Sequence, residues 1–266
     1  MPALKRTRTE ERSSSRSDAL VGHTVDEAKA LIPRTPEEKT TGQRLVVVLE
    51  KAALEVVQVK GKYELLNSDD HKNILAKSGK DISSYRPDIT HQCLMMLLDS
   101  PLNKAGKLLV YVHTMNNVLI EVSPALRMPR TFKRFSGLIV ELLNKNKIRA
   151  ANSSEILMKV IANPVQKYLP AGGIKCGLSV DGRLLTCSPQ WLKSHDETKD
   201  SKGRSLIDTV PVTVVIGAVA HGEPCSEPRF GGDYVEETIA ISNHGLSAAI
   251  CCAKLTCALE DRWGII

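Results

Sequence analysis

Two short segments concentrate groups that can grip an anion or move a proton, and both fall where a helix should begin. The first is Arg86-Pro87-Asp88. Proline suits the first position of a helix. Asp88 then lies in the first turn, where the helix dipole stabilises a carboxylate. Local stability alone accounts for that placement. The chemical reading is that Asp88 accepts a hydrogen bond from a base N–H while Arg86 neutralises a phosphate or orients the carboxylate. The second segment is Arg127, Arg130, Lys133 and Arg134, which bracket a helix beginning near Thr131. Cations at a helix N-terminus oppose the dipole by about 0.3–1 kcal/mol each near the surface. A phosphate backbone reverses that sign, because it pairs with the arginines and accepts from the free amides. The bland alternative is a solvated face, or carboxylate partners elsewhere. RNA contact by Arg127, Arg130 and Arg134 is the preferred reading.

A third feature is a pair of loops near the C-terminus. Val210–Ile216 runs into Gly217-Ala218-Val219-Ala220-His221-Gly222, and Glu237–Ile241 runs into Ser242-Asn243-His244-Gly245-Leu246-Ser247. Ligands in open α/β sheets bind outside the carboxyl ends of strands. Small residues there let backbone groups approach a ligand closely. Ordinary turn chemistry, with Ser247 as a helix N-cap, explains each loop singly. The two together point to a small-molecule pocket.

The elements that must position these segments can be read from periodicity. Leu45–Leu49 is a continuous apolar run, as for a strand buried on both faces. Helix is expected over Ala52–Val59, over Ile89–Leu98 after Pro87, over Thr131–Asn144 and over Ser153–Ala162, the last ended by Asn163-Pro164. Strands are expected at Lys107–His113 and Val118–Val122, joined by a turn at Met115-Asn116-Asn117, and at Ile174–Val180, Val210–Val219 and Glu237–Ile241. Lys193–Ser205 reads as a loop and Ser247–Arg262 as a final helix. Alternation of strands and helices implies an α/β domain with a largely parallel sheet.

Composition narrows the function classes. The chain has 266 residues and a formal charge of +6, which suits a polyanionic partner. Residues 1–40 alternate basic residues with Ser and Thr, and read as a disordered basic tail ahead of a domain spanning 41–266. A nuclear or nucleolar address, or an RNA-touching arm, is the sharper reading of that tail. The seven cysteines form no C-x-x-C pair, and no Cys/His spacing suits zinc. A reducing compartment is expected, and no run reaches the length of a bilayer span. The glycine fingerprints of dinucleotide and P-loop sites, the G-x-S-x-G elbow and H-E-x-x-H are absent. Those absences disfavour an oxidoreductase or other nucleotide-dependent enzyme. They leave open a methyltransferase, and equally an RNA-binding assembly factor.

Four segments occur in an order that resembles the Nep/Emg family of pseudouridine-specific ribosomal RNA methyltransferases, within the SPOUT superfamily. They are Arg86 to Cys93 continuing through Asp99 to Lys107, then Arg127 to Gly137, then Ile216 to Gly222, and Ile241 to Asn243 followed by Leu246 to Ala249. The resemblance covers residues 44–266. It implies a SPOUT-type α/β fold, a largely parallel sheet with helices on both faces and a C-terminal trefoil knot. It also implies S-adenosyl-L-methionine as cofactor, no metal, and nitrogen 1 of a pseudouridine in small-subunit ribosomal RNA as the target. A homodimer, a role in small-subunit ribosome biogenesis with assembly proteins, and a nucleolar location follow from the same likeness. Residue by residue it points to Leu178, Gly217, Gly222, Ile241, Ser242, Asn243, His244, Gly245 and Leu246 for the cofactor. Asp88 and Arg86 are the catalytic pair it implies, and Arg86, Arg127, Arg130 and Arg134 the RNA contacts. The sequence departs from the family pattern at Glu223–Tyr234 and at His244-Gly245, where relatives place an aromatic residue and proline.

Overall fold

Residues 42–151, 153–184, 206–222 and 233–266 are described by a computed structural model of the chain. The tail 1–40, the loop Lys193–Ser205 and most of Glu223–Tyr234 lie outside the described residues. Ten strands and five α-helices follow one another here. Strand β1 (Leu45–Ala52) leads into the two-stranded hairpin β2 (Val56–Val59) and β3 (Lys62–Leu65). Helices α1 (Lys72–Lys77), α2 (Pro87–Asp99) and α3 (Pro101–Lys104) precede β4 (Leu108–Thr114) and β5 (Leu119–Val122). Next come α4 (Phe132–Lys145), β6 (Lys147–Arg149), β7 (Ile156–Ile161) and β8 (Ile174–Leu184). The chain closes with β9 (Val212–Gly217), β10 (Glu237–Ala240) and α5 (Ala248–Trp263).

One eight-stranded sheet has the order β10-β8-β9-β1-β4-β5-β7-β6. Strands β10, β8, β9, β1 and β4 run parallel, and β5, β7 and β6 extend the sheet antiparallel. Strand β9 is inserted between β8 and β1, so the sheet reverses its order there. The course of residues 185–205 and 223–232, on which the expected knot depends, is outside the described residues. Strand β1 is apolar from Leu45 to Leu49 because both its faces are covered there. Leu45, Val47 and Leu49 face the larger core with Leu94 of α2, Phe135 and Ile139 of α4, and Leu255 of α5. Val46 and Val48 face a smaller core closed by Val165, Leu169 and Tyr168. Among the described residues, α2, α4 and α5 all pack on one face. The second helical layer expected opposite them is represented by a 3-10 turn at Val165–Tyr168.

Two expected helices are strands. In place of a helix over 52–59, β1 runs to Ala52 and β2 occupies Val56–Val59. Lys60 and Gly61 both take positive φ, 48° and 82°, between the partners Val59 and Lys62. That is the two-residue turn whose twist suits a hairpin, and Val56, Val57 and Val59 suit strand better than helix. In place of a helix over 153–162, Ile156–Ile161 fills the gap between β5 and β6. A short apolar run is ambiguous between the two states, and sheet pairing decides it.

Candidate functional site

A cavity of about 370 Å³ opens at the carboxyl ends of the parallel strands, lined from β8, β9, β10 and the start of α5. Its size lies within the roughly 300–1,000 Å³ usual for small-molecule sites. Strand β9 ends at Gly217, and Gly222, with φ +88°, closes the loop that follows. Strand β8 supplies its wall by leaving the ladder. Glu237 and Thr238 of β10 pair with Cys176 and Gly177, but Ile239 and Ala240 pair with Arg183 and Leu184. Residues 178–182 therefore stand out from the sheet. The return needs glycine, since a Cβ on Gly182 would lie 2.6 Å from the backbone of Ile239.

Leu178, Gly217, Gly222 and Ile241, all expected from the sequence, line this cavity, and so do Ser242, His244, Gly245 and Leu246. Asn243 is exposed and is not part of the lining. The Ser242 hydroxyl oxygen accepts the His244 N–H at 3.0 Å, which turns the chain there. Ser247 caps α5, its Oγ accepting the Ile250 N–H at 3.3 Å. Sequence reasoning missed Ser179, Val180 and Cys251 in the lining. The first two have no local signal because only the irregularity of β8 turns them inward. Cys251 lies one turn beyond the Ser247 cap, and that spacing was a usable signal. Val219, Ala220 and His221 also line the cavity, within the loop singled out as a whole.

Arg86 is the N-cap residue of α2, Pro87 opens it and Asp88 lies in its first turn. The arginine grips the aspartate through two bonds, Nε to Oδ1 at 2.8 Å and Nη2 to Oδ2 at 2.7 Å. Of the two roles considered for Arg86, orienting the carboxylate is what the geometry provides. The pair remains partly open, with side-chain exposures of 43% and 33%. Asp88 raises the guanidinium pKa further, against a smaller opposing effect of burial. Just before it, Tyr85 is buried and fixes the entry to the helix. Its hydroxyl donates to Glu55 Oε2 at 3.1 Å, and Lys80 bonds the other oxygen of Glu55. Burial pushes the Glu55 carboxyl up, but Lys80, Asn116 and Tyr85 outweigh it and hold the group below its ordinary value.

The second basic segment forms the approach to α4. Arg127, Arg130, Lys133 and Arg134 are all exposed. The helix has no acidic residue in its first turn, and the Thr131 side chain makes no capping bond. Arg130 pairs with Asp99 at 2.7 Å, between side chains 73% and 49% exposed. An exposed pair of this kind contributes little and yields readily to a phosphate. His91 joins this segment to α2. Its Nε2 lies 2.7 Å from the Pro129 carbonyl oxygen, and its ring stacks on Phe135 at 4.6 Å.

Helices α2 and α5 decide how the polar pair and the cavity relate. The buried side chains of Cys93 and Cys252 lie against one another. The Leu102 N–H, just beyond α2, donates to Glu260 Oε1 at 3.0 Å. Both contacts have nearly the same offset in sequence, so the helices run side by side in one direction. Asp88, one and a half turns before Cys93, is therefore level with the start of α5. Ala248 and Cys251 of that first turn line the cavity. Among the described residues, no group of three or more His, Cys, Asp or Glu stands together as a metal site, and no helix is long and apolar enough to cross a membrane.

An open, mostly parallel α/β sheet with a small-residue cavity at its reversal point, and a carboxylate level with the helix start that lines it, is the architecture of an α/β enzyme with a nucleotide-sized ligand. Comparison with known proteins makes the class specific. Residues 47–260 match the model of the family described as EMG1/NEP1 methyltransferase, and the chain belongs to that family. The chain is 47% identical over 249 residues to a Homo sapiens protein named ribosomal RNA small subunit methyltransferase NEP1, covering 92% of this chain and 94% of that one. A Drosophila melanogaster protein of the same name is 50% identical over 226 residues, covering 85% of each. The fold is similar to that of Archaeoglobus fulgidus Nep1 bound to S-adenosylhomocysteine, with a TM-score of 0.64 and 25% identity over 84% of this chain and 99% of that one.

Proposed function

We propose that the protein uses S-adenosylmethionine to methylate nitrogen 1 of a pseudouridine in small-subunit ribosomal RNA, as a step in small-subunit ribosome biogenesis. One observation carries the reading: the cavity at the strand ends and the Arg86–Asp88 pair lie at the same end of the parallel α2–α5 pair. The cofactor fits the residues present. The loops 217–222 and 241–246 expose main-chain groups for an adenosyl moiety, and Leu178, Leu246 and Ala248 add an apolar wall. S-adenosylmethionine supplies an already activated methyl electrophile when bound. The remaining task for the chain is to hold the target nitrogen in line.

Pseudouridine presents a free N–H at position 1 because its sugar is attached through carbon. Asp88 accepts that N–H and Arg86 keeps the carboxylate aimed. Arg86 occupies both carboxylate oxygens of Asp88, so Asp88 contributes more by orientation than by proton removal. The base must leave its stack to reach the pocket. Arg127, Arg130 and Arg134 then hold the RNA backbone.

Homodimerisation belongs to the same reading. Val180 at the cavity, Met96 on α2 and Ile250 on α5 are exposed apolar side chains at 53%, 41% and 48%. A second copy seated on them would cover the wall of the cavity at Val180, which sedimentation of the full chain tests. Docking of assembly proteins and a nucleolar address in the basic tail 1–40 complete the proposal, and a tail-deleted fluorescent fusion tests the address. The decisive assay is mass spectrometry of a pseudouridine-containing RNA hairpin incubated with protein and S-adenosylmethionine. A methyl group on nitrogen 1 is expected. A hairpin with uridine at that position should stay unmodified. Bound RNA with no methyl transfer and no cofactor binding would leave an assembly factor instead.

A further inference from the structure

A carboxyl group with no solvent exposure stands on the strand next to β9 and takes no part in the chemistry above. Glu50, on β1, is completely buried. A charge in such a place is strongly disfavoured unless hydrogen bonds compensate it. Glu50 has them. His113 Nδ1 lies 2.7 Å from Oε2, and the Tyr234 hydroxyl donates to Oε1 at 2.7 Å. His113 Nε2 is in turn 2.8 Å from Asn117 Oδ1, in the turn between β4 and β5. One side chain thus joins β1, the β4–β5 hairpin and the segment that enters β10.

The main chain of the same residue reaches the cavity loop. Glu50 is the register partner of Gly217, and its carbonyl oxygen accepts the Ala218 N–H at 2.8 Å. Gly217 lines the cavity, and so do Ile239 and Ile241 at the other end of the segment that Tyr234 begins. Glu50 therefore fixes the exit from β9 through its backbone and the approach to β10 through its carboxylate. A buried network of this kind is no better for stability than well-packed apolar residues. Its location points to a different use.

We infer that Glu50, with His113 and Tyr234, is a positioning group for cofactor binding, which sets the spacing of the two loops that line the cavity. This rests on reading the cavity as the cofactor site. Tyr234 is the clean probe, because Tyr234→Phe removes one hydroxyl and keeps the ring packed in the smaller core.

The experiment measures S-adenosylhomocysteine binding by calorimetry, thermal unfolding without ligand, and steady-state methylation of the pseudouridine hairpin. Wild type, Tyr234→Phe and Glu50→Gln are compared as full chains. Tyr234→Phe should weaken S-adenosylhomocysteine binding roughly three- to tenfold, the usual scale for one buried hydrogen bond. The KM for S-adenosylmethionine should rise by the same factor, while kcat and the KM for RNA hold. Glu50→Gln should show the same split more strongly, and if it fails to fold, Tyr234→Phe decides. Wild-type binding in Tyr234→Phe overturns the inference, and so does a loss confined to kcat or to the melting temperature. A wild type that binds no S-adenosylhomocysteine overturns the reading of the cavity itself, which is a different result.

Discussion

The cavity and the arginine face recognise their ligands with different parts of the chain. Around the cavity the work falls to main-chain groups and small or apolar side chains, Gly217, Ala220, Gly245 and Leu246 among them. On the approach to α4, the long charged side chains of Arg127, Arg130, Lys133 and Arg134 stand in solvent. Shape governs the first region and charge the second. The cavity should therefore respond to added volume and ignore salt. The face should respond to charge removal and lose affinity as salt rises. Asp88 belongs to neither group. It is held by Arg86, its near neighbour in the chain, and is level with the helix start that lines the cavity.

Filling the cavity should have the largest effect. Ala220→Trp places an indole among the lining residues and should abolish S-adenosylhomocysteine binding by calorimetry, with RNA affinity unchanged in a gel-shift assay. A joint loss of both would mean that the two regions are not separate. Next comes Asp88→Asn, which keeps size but weakens the acceptor and the bidentate grip of Arg86. Methyl transfer should fall roughly 10²-fold, while binding of both ligands persists. Undiminished transfer removes Asp88 from the mechanism. Replacing Arg127, Arg130 and Arg134 together by Ala should weaken RNA binding and flatten the logarithmic salt dependence by about two to three units. An unaltered salt slope would make the face an ordinary solvated surface.

The smallest expected effect concerns the support beneath Asp88. The folded-state pKa of Glu55 is depressed, with Lys80 the principal compensating partner. Its stabilising contribution is present above the unfolded-state value and is lost as pH falls through the folded-state one. Glu55→Gln should therefore lower the melting temperature near neutral pH by a few degrees and give a shallower decline below about pH 4.5. Parallel acid limbs for wild type and variant would show that the Glu55–Lys80–Tyr85 cluster does not hold the start of α2.

How much of this was legible depended on the range of the interactions. Strand β1 declared itself because burial on both faces demands an unbroken apolar run. Helix α4 did so because Phe135, Ile139 and Leu142 recur on one side and are the residues it buries. The turn at Lys60-Gly61 passed unnoticed, and with it β2, because lysine seldom takes the left-handed conformation that it has there. Ile156–Ile161 was misread since its six residues hold no helical or strand signal apart from their neighbours. In the candidate site the two loops and the Arg-Pro-Asp turn were visible, being contiguous. Ser179 and Val180 were not, because a break in β8 register turns them inward.

Sequence by itself determined the local pieces: the capped start of α5 at Ser247, the proline-opened start of α2, the amphipathic face of α4 and the cluster of cations ahead of it. Each follows from backbone preferences and from periodic burial within a few residues. Tertiary structure alone decided which ends meet. The parallel run of α2 beside α5 sets Asp88 level with the cavity wall. The bond from Tyr234 to Glu50 spans 184 residues of chain. No local preference encodes such a pairing, because its favourable free energy appears only after the sheet has brought both groups out of water.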